Sequence, residues 1–209
     1  MMPYIVAMTG ASGAAYGVRL IQVLRDLNYP IVFLLSDPAR LVIQEELKMV
    51  LQESWEGRDF QKFLGPFQEH QFSYYSCRDM TAPVASGSYP VKGMIVCPCS
   101  MATLGAIANG TGQNLIHRAA DCQLKEGRRL ILVPRETPLH AGHLENMLKA
   151  FRLGARIVPA MPAFYAETDS ISNLVDFMVG KILDQLEIEH ELYPRWTGLP
   201  WEKLCEETS

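Results

Sequence analysis

Three consecutive stretches near the start of the chain constrain its fold more than any other feature. The apolar run Tyr4-Ile5-Val6-Ala7-Met8 is too short for a helix and β-branched enough for a buried strand. Gly10, Ala11, Ser12 and Gly13 come next, and then Val18, Leu20, Ile21 and Leu24 recur at helical spacing. The small residues therefore sit where a strand turns into a helix. A helix start offers unpaired N–H groups and partial positive charge to an anion. Glycine lets backbone and ligand approach closely, and Ser12 adds a hydroxyl that donates or accepts. The spacing Gly10, Gly13, Gly17 is neither the dinucleotide fingerprint nor a P-loop. A tight turn with no ligand would use the same residues.

The strand-then-helix pattern repeats along the chain. Pro30 to Ser36 reads as a second buried strand ending in a hydroxyl, followed by a helical pattern from Pro38 to about Gln52 that carries Glu45 and Glu46. From Glu53 to Asp79 the sequence is aromatic-rich and irregular, and no element is assigned there. Thr81 to Ser88 is a loop of small residues. Gly93 to Pro98 reads as a third strand, with a second hydroxyl-bearing corner at Ser100 to Thr103. Asn114 to Lys125 looks helical, which puts Arg118 and Lys125, two turns apart, on one face. Arg129 to Glu136 reads as a fourth strand ending in an Arg135–Glu136 ion pair. His143 to Arg152 is a helix, Ala155 to Pro159 a fifth strand, and Ile171 to Ile182 a last helix flanked by Lys181. Alternating strands and helices predict an α/β domain with a mostly parallel sheet, over residues 1–186, and a tail over 187–209. Ligands of such sheets bind beyond the carboxyl ends of strands. Ser12, Ser36, Ser100, Thr103, Arg135, Glu136 and Tyr165 all fall there.

Composition narrows the partners. With 209 residues, 48% hydrophobic and a net charge of −4, the chain suits one globular domain and lacks the basic surface that nucleic acid selects. No stretch approaches the ~20 apolar residues of a membrane span, and the first apolar run is too brief for a signal peptide. Five cysteines without framework spacing fit reduced thiols, so a cytoplasmic protein is expected. Cys97-Pro98-Cys99 reads as strand-end packing.

Neither serine lies in G-x-S-x-G and no Ser-His-Asp order is readable, so hydrolase chemistry has little support. His140, His143 and Glu145 do not form H-E-x-x-H, and we read them as capping and packing at a helix start, with no metal. Arg118, Lys125 and Arg135 would suit a phosphate through charge-assisted hydrogen bonds; ordinary surface ion pairs would use them equally well.

Taken together, Met8-Thr9-Gly10-Ala11-Ser12-Gly13, Ala82-Pro83-Val84-Ala85-Ser86-Gly87-Ser88, Cys97-Pro98-Cys99-Ser100-Met101-Ala102-Thr103, Asn114 to Asp121 and Leu132 to Leu139 closely resemble the UbiX family of flavin prenyltransferases. His143 to Met147 and Pro162 to Tyr165 continue the match, which covers about Pro3 to Trp196. The resemblance implies a Rossmann- or flavodoxin-like three-layer sandwich and a homo-oligomer, a dodecamer. It implies transfer of a dimethylallyl group from dimethylallyl monophosphate to N5 and C6 of reduced FMN, without a metal. The product, prenylated FMN, serves a UbiD-type decarboxylase, including one in ubiquinone biosynthesis.

By the same resemblance Gly10, Ala11, Ser12, Ser36, Ser100, Met101, Ala102, Thr103 and Arg135 contact FMN. Arg118, Lys125, Arg135, Tyr165 and Lys181 hold the prenyl phosphate, and Ser12, Glu46, Lys125 and Glu136 act in catalysis. Two positions depart from the pattern. Ala102 stands where many relatives have Lys, and Met80 where some place an aromatic residue against the prenyl group. Two rival functions are an FMN-dependent decarboxylase of a cysteine-containing substrate and a non-catalytic flavin-binding subunit. The decarboxylase relatives use a His in the first helix region, and Ala14 to Arg25 contains none.

Overall fold

The computed structural model describes residues 1–52, 54–164 and 170–198. Six parallel strands form one sheet in the order β3-β2-β1-β4-β5-β6. They are β1 Tyr4–Met8, β2 Ile31–Leu35, β3 Phe72–Ser76, β4 Gly93–Cys99, β5 Arg129–Pro134 and β6 Arg156–Ile157. The helices are α1 Ala14–Asp26, α2 Asp37–Leu47, α3 Gly57–Leu64, α4 Met101–Asn109, α5 Leu115–Lys125, α6 Ala141–Arg152 and α7 Ile171–Leu186. The strand order reverses between β1 and β4, the switch point at which ligands of such sheets bind.

Strand alternation builds the three layers. Tyr4, Val6 and Met8 of β1 face a core shared with α1, α2, α3 and α7, whereas Ile5 and Ala7 face one shared with α4 and α5. Ala150 of α6 packs into the second core. β1, β2 and β4 are buried throughout, which is why their sequences are continuous apolar runs.

Two elements lie in the aromatic-rich stretch to which the sequence pattern assigns none. β3 is an edge strand, Phe-Ser-Tyr-Tyr-Ser, only half-buried. α3 spans eight residues and is started by a reciprocal Glu56–Asp59 capping box. Phe60 and Leu64 of α3 are fully buried, and Phe60 packs at a tilt against Tyr74 of β3 with ring centres 4.5 Å apart. The fold class expected from the sequence holds, with this extra strand and helix.

The segment after α7 folds back on the domain. Ile188 is buried against the first core, and Glu187 pairs with Arg129 at the start of β5 at 2.7 Å. No helix among the described residues is long and apolar enough to cross a membrane.

Candidate active site at the switch point

Two strand-to-helix corners flank the switch point, and one side chain joins them. Thr9, 2% exposed, donates its hydroxyl to the Pro98 carbonyl at 2.9 Å and accepts from the Ser100 N–H at 2.7 Å. Ser100 then caps α4, accepting from the Thr103 N–H at 3.2 Å and donating to the Thr103 hydroxyl at 3.1 Å. Ser36 caps α2 in the same manner through the Ala39 N–H at 3.2 Å. Thr9 does not stand out in the sequence. Its only signal is a hydroxyl at a strand end, inside a motif dominated by glycines.

The β1–α1 corner works differently. Gly13 takes φ 107°, a left-handed conformation natural to glycine, and supplies no side-chain cap. The missing anion comes from Glu46 near the end of α2. Its carboxylate accepts from the Gly13 N–H at 3.0 and 3.1 Å and from the Ala14 N–H at 2.8 Å. Glu46 thus occupies the helix-start N–H groups of the β1–α1 corner. Gly10, Ala11 and Ser12 form the rest of the turn, with Gly10 exposed and Ser12 half-buried.

Arg135 and Glu136 come after β5 on the same sheet edge. The ion pair expected between them does not form: Glu136 Oε1 accepts from the Thr137 N–H at 3.1 Å. Arg135 Nε is buried without a hydrogen-bond partner. An orphaned guanidinium N–H is costly unless an acceptor arrives, so the donor set fits an anionic group such as the phosphate of FMN. Met101 is buried in the first turn of α4, and Ala102 beside it is exposed. A methyl group at 102 leaves only backbone for contact there.

The other basic residues are dispersed. Arg118 lies in the first turn of α5, donating to the Ala85 carbonyl at 2.9 Å and pairing with Asp121 at 2.7 Å. It lines a cavity of about 230 Å³ with Met80, Ala106, Ile107 and His117. Burial pushes the His117 imidazole below its usual pKa, so this cavity stays low in charge apart from Arg118 and Asp121. Lys125 ends α5, paired with Glu126 at 2.5 Å. A side chain on Gly87 would collide with both. The loop Ser86-Gly87-Ser88, with its two hydroxyls 2.8 Å apart, therefore lies against the basic face of α5. Ser86 and Ser88 are polar groups there that the sequence marks only as members of a motif.

Because α5 runs straight into β5, Lys125 lies at the edge of the sheet where strands begin, away from Ser12 and Ser100. Lys181 sits about one and a half turns before the end of α7, which leads into Glu187 paired with Arg129 at the start of β5. Lys181 therefore also lies toward the edge where strands begin, on the opposite face of the sheet from α5. A single copy thus separates the expected flavin groups from Lys125 and Lys181. Tyr165 falls outside the described residues.

His140 and His143 lie ring against ring at a tilt, with centres 3.5 Å apart, at the start of α6. His140 holds the cap position without a side-chain cap bond, so packing explains the pair better than capping. No group of His, Cys, Asp or Glu among the described residues is arranged to hold a metal. Cys97 and Cys99 are fully buried in β4, where desolvation pushes both thiols far above their usual range. They are packing residues, not nucleophiles.

The Flavoprotein family model matches residues 2–183. The flavin prenyltransferase UbiX of Halalkalibacterium halodurans is 48% identical over 200 residues, covering 92% of both chains. The crystal structure of AnUbiX (PadA1) in complex with FMN and dimethylallyl pyrophosphate superposes with a TM-score of 0.83 at 41% identity, covering 95% of this chain and 99% of that one. A dodecameric FMN-dependent UbiX-like decarboxylase from Escherichia coli O157:H7 gives a TM-score of 0.81 at 43% identity, over 95% of this chain and all of the other. The chain belongs to the flavoprotein family and, within it, to the UbiX flavin prenyltransferases.

Proposed function

We propose that this chain transfers the dimethylallyl group of dimethylallyl monophosphate to reduced FMN, forming bonds at N5 and C6. The product is prenylated FMN for a UbiD-type decarboxylase, with a link to ubiquinone biosynthesis. What carries the reading is a chain-long match to prenyltransferases combined with more anion-holding groups than one flavin phosphate needs. Reduced FMN supplies the electron-rich ring that is alkylated, so no protein nucleophile is required.

The protein's task is electrostatic. Breaking the allylic C–O bond leaves phosphate with the electron pair and positive charge on the allyl fragment. Arg118, Lys125, Arg135, Tyr165 and Lys181 stabilise the leaving phosphate by charge-assisted contacts in a site closed to water. Gly10, Ala11, Ser12, Ser36, Ser100, Met101, Ala102 and Thr103 hold and orient the flavin. Bonding to N5 consumes the allyl charge, so bonding to C6 requires the remaining double bond to take up a proton and the C6 ring proton to leave; in this reading the Glu46 carboxylate accepts the proton that leaves. Ser12, Lys125 and Glu136 complete the catalytic set.

Since one copy places Lys125 and Lys181 away from the flavin corner, the site is completed between copies of a homo-oligomer, a dodecamer in this reading. Leu144, Leu148 and Phe151 support this: they share one face of α6 and are 54%, 49% and 63% exposed, an apolar stripe suited to another subunit. A cytoplasmic location is supported by Cys77, Cys97, Cys99 and Cys122, all free thiols. The cysteine-decarboxylase alternative is disfavoured because α1 contains no His. A simple flavin carrier would have no use for a second phosphate site.

The test is anaerobic incubation with reduced FMN and dimethylallyl monophosphate or diphosphate, followed by mass analysis of the flavin. The expected result is a flavin heavier by one isoprenoid unit. Tyr165→Phe and Lys181→Ala should each lower its formation roughly ten- to a hundredfold, as the loss of a charge-assisted phosphate contact does, with FMN affinity unchanged. Unmodified flavin with either donor would overturn the reading.

A further inference from the structure

One carboxylate gathers the C-terminal segment around Lys181. Asp184, one turn further along α7, lies 3.5 Å from the Lys181 ammonium. It also accepts from the Tyr193 hydroxyl at 2.7 Å and from the Arg195 guanidinium at 2.7 and 2.9 Å, and faces His190 Nε2 at 3.1 Å. A carboxylate offers about four lone-pair positions, and these three residues of the returning segment fill them. Partial burial opposes ionisation, but hydrogen bonds from Arg195, Tyr193 and His190 hold the Asp184 carboxyl well below the usual carboxylate range.

The packing around this carboxylate is close. Gly180 precedes Lys181, and a side chain there would run into the rings of Tyr193 and His190. Tyr193 also packs on Phe177 with ring centres 4.9 Å apart, and the His190 side chain is only 2% exposed. Residues 188–195 are therefore fastened to the same helix face that carries Lys181.

We propose that Asp184 is a positioning residue, which fastens the C-terminal segment to α7 and so restrains Lys181 before the prenyl phosphate binds. The inference rests on the reading of Lys181 as a phosphate ligand. Lysine has a long, flexible stem whose freedom is lost on binding, and restraining it beforehand lessens that loss. Because Arg195, Tyr193 and His190 occupy the acceptor positions, Lys181 feels the carboxylate's charge while its ammonium can still donate to an arriving phosphate. With Lys181 and Arg195 against one carboxylate, the cluster keeps net positive charge and continues to attract an anion.

The experiment compares Asp184→Asn, Arg195→Ala and Lys181→Ala in the full-length protein. It reads hydrogen exchange of residues 188–196, FMN affinity, and KM against kcat for dimethylallyl monophosphate. Asp184→Asn and Arg195→Ala should both speed exchange in the segment and raise KM roughly tenfold, the effect of one weakened charge-assisted contact, while leaving FMN affinity within about twofold. Arg195→Ala keeps the carboxylate, so it tests the fastening even if Asp184→Asn folds poorly. If Lys181→Ala raises KM while the other two release the segment and leave KM unchanged, the positioning role is wrong. If Lys181→Ala itself leaves KM unchanged, the assignment of Lys181 fails and the positioning role with it.

Discussion

The two corners at the switch point solve one problem in opposite ways. At β4–α4 the helix start is satisfied from within: Ser100 is both the last residue of the turn and the cap. At β1–α1 the turn is made by Gly13, which has no side chain, and the N–H groups are met by Glu46, 33 residues away and exposed. A local cap is part of the fold and moves only with it. A distant carboxylate on the rim of a neighbouring helix depends on how α2 packs against α1, so the β1–α1 corner carries a charge that local sequence does not supply, whereas the β4–α4 corner is a fixed reference.

That contrast depends on how tightly α1 lies against β4, which Gly17 controls. A methyl group there would run into the Cys97 carbonyl oxygen and the Met8 side chain. Backbone cannot yield as a side-chain tip does, so Gly17→Ala should destabilise by ~1–3 kcal/mol, the usual cost of overpacking. The same α1 displacement should break the Glu46 contacts. A denaturant midpoint equal to that of the parent protein would mean that the two corners are not held together through this contact.

The link between the corners can be broken more narrowly at Thr9. Thr9→Val keeps the shape and removes a hydroxyl that serves both Pro98 and Ser100. The Pro98 carbonyl keeps the Thr9 N–H at 3.1 Å, but the half-buried Ser100 N–H would lose its partner, at about 1–3 kcal/mol for an unsatisfied group. The loss should appear in denaturant melts, together with weaker FMN binding as Ser100 loses its anchor. Full stability with intact flavin affinity would show that the corners are independent.

How much of this is legible in the residues depends on the range of the interactions. β1, β2 and β4 are buried on both faces, so their apolar runs are visible. Ser36 and Ser100 are visible because a cap acts within three residues. α3 is not, since eight residues give too few turns for a period to emerge, although Glu56 and Asp59 stand at capping-box spacing. β3 has a half-exposed edge strand's mixed pattern. The reach of Glu46 to Gly13 depends on how α2 packs against α1, and no local pattern encodes it. Nor does helical spacing on α5 reveal that Lys125 ends at the far edge of the sheet from Ser12. That needs the connection from α5 into β5, and the oligomer reading rests on it. The expected Arg135–Glu136 pair fails because both residues lie beyond the end of β5, where Glu136 turns back to the Thr137 N–H.

The smallest change in stability and the most informative one in function is expected at Glu46. Glu46→Gln retains an oxygen that accepts from the Gly13 and Ala14 N–H groups but loses the charge that complements the helix start. An exposed charge at that position contributes about 0.3–1 kcal/mol, so the melting temperature should fall by no more than about 2–4 °C. FMN affinity should hold, because the amide oxygen still accepts from the same N–H groups and keeps the corner in shape. Prenylated flavin formation should fall at least about tenfold, since an amide cannot take the proton leaving C6. Titration with FMN and single-turnover product analysis separate these effects. If flavin affinity collapses together with product, Glu46 only builds the corner, and both helix starts are then structural in the same sense.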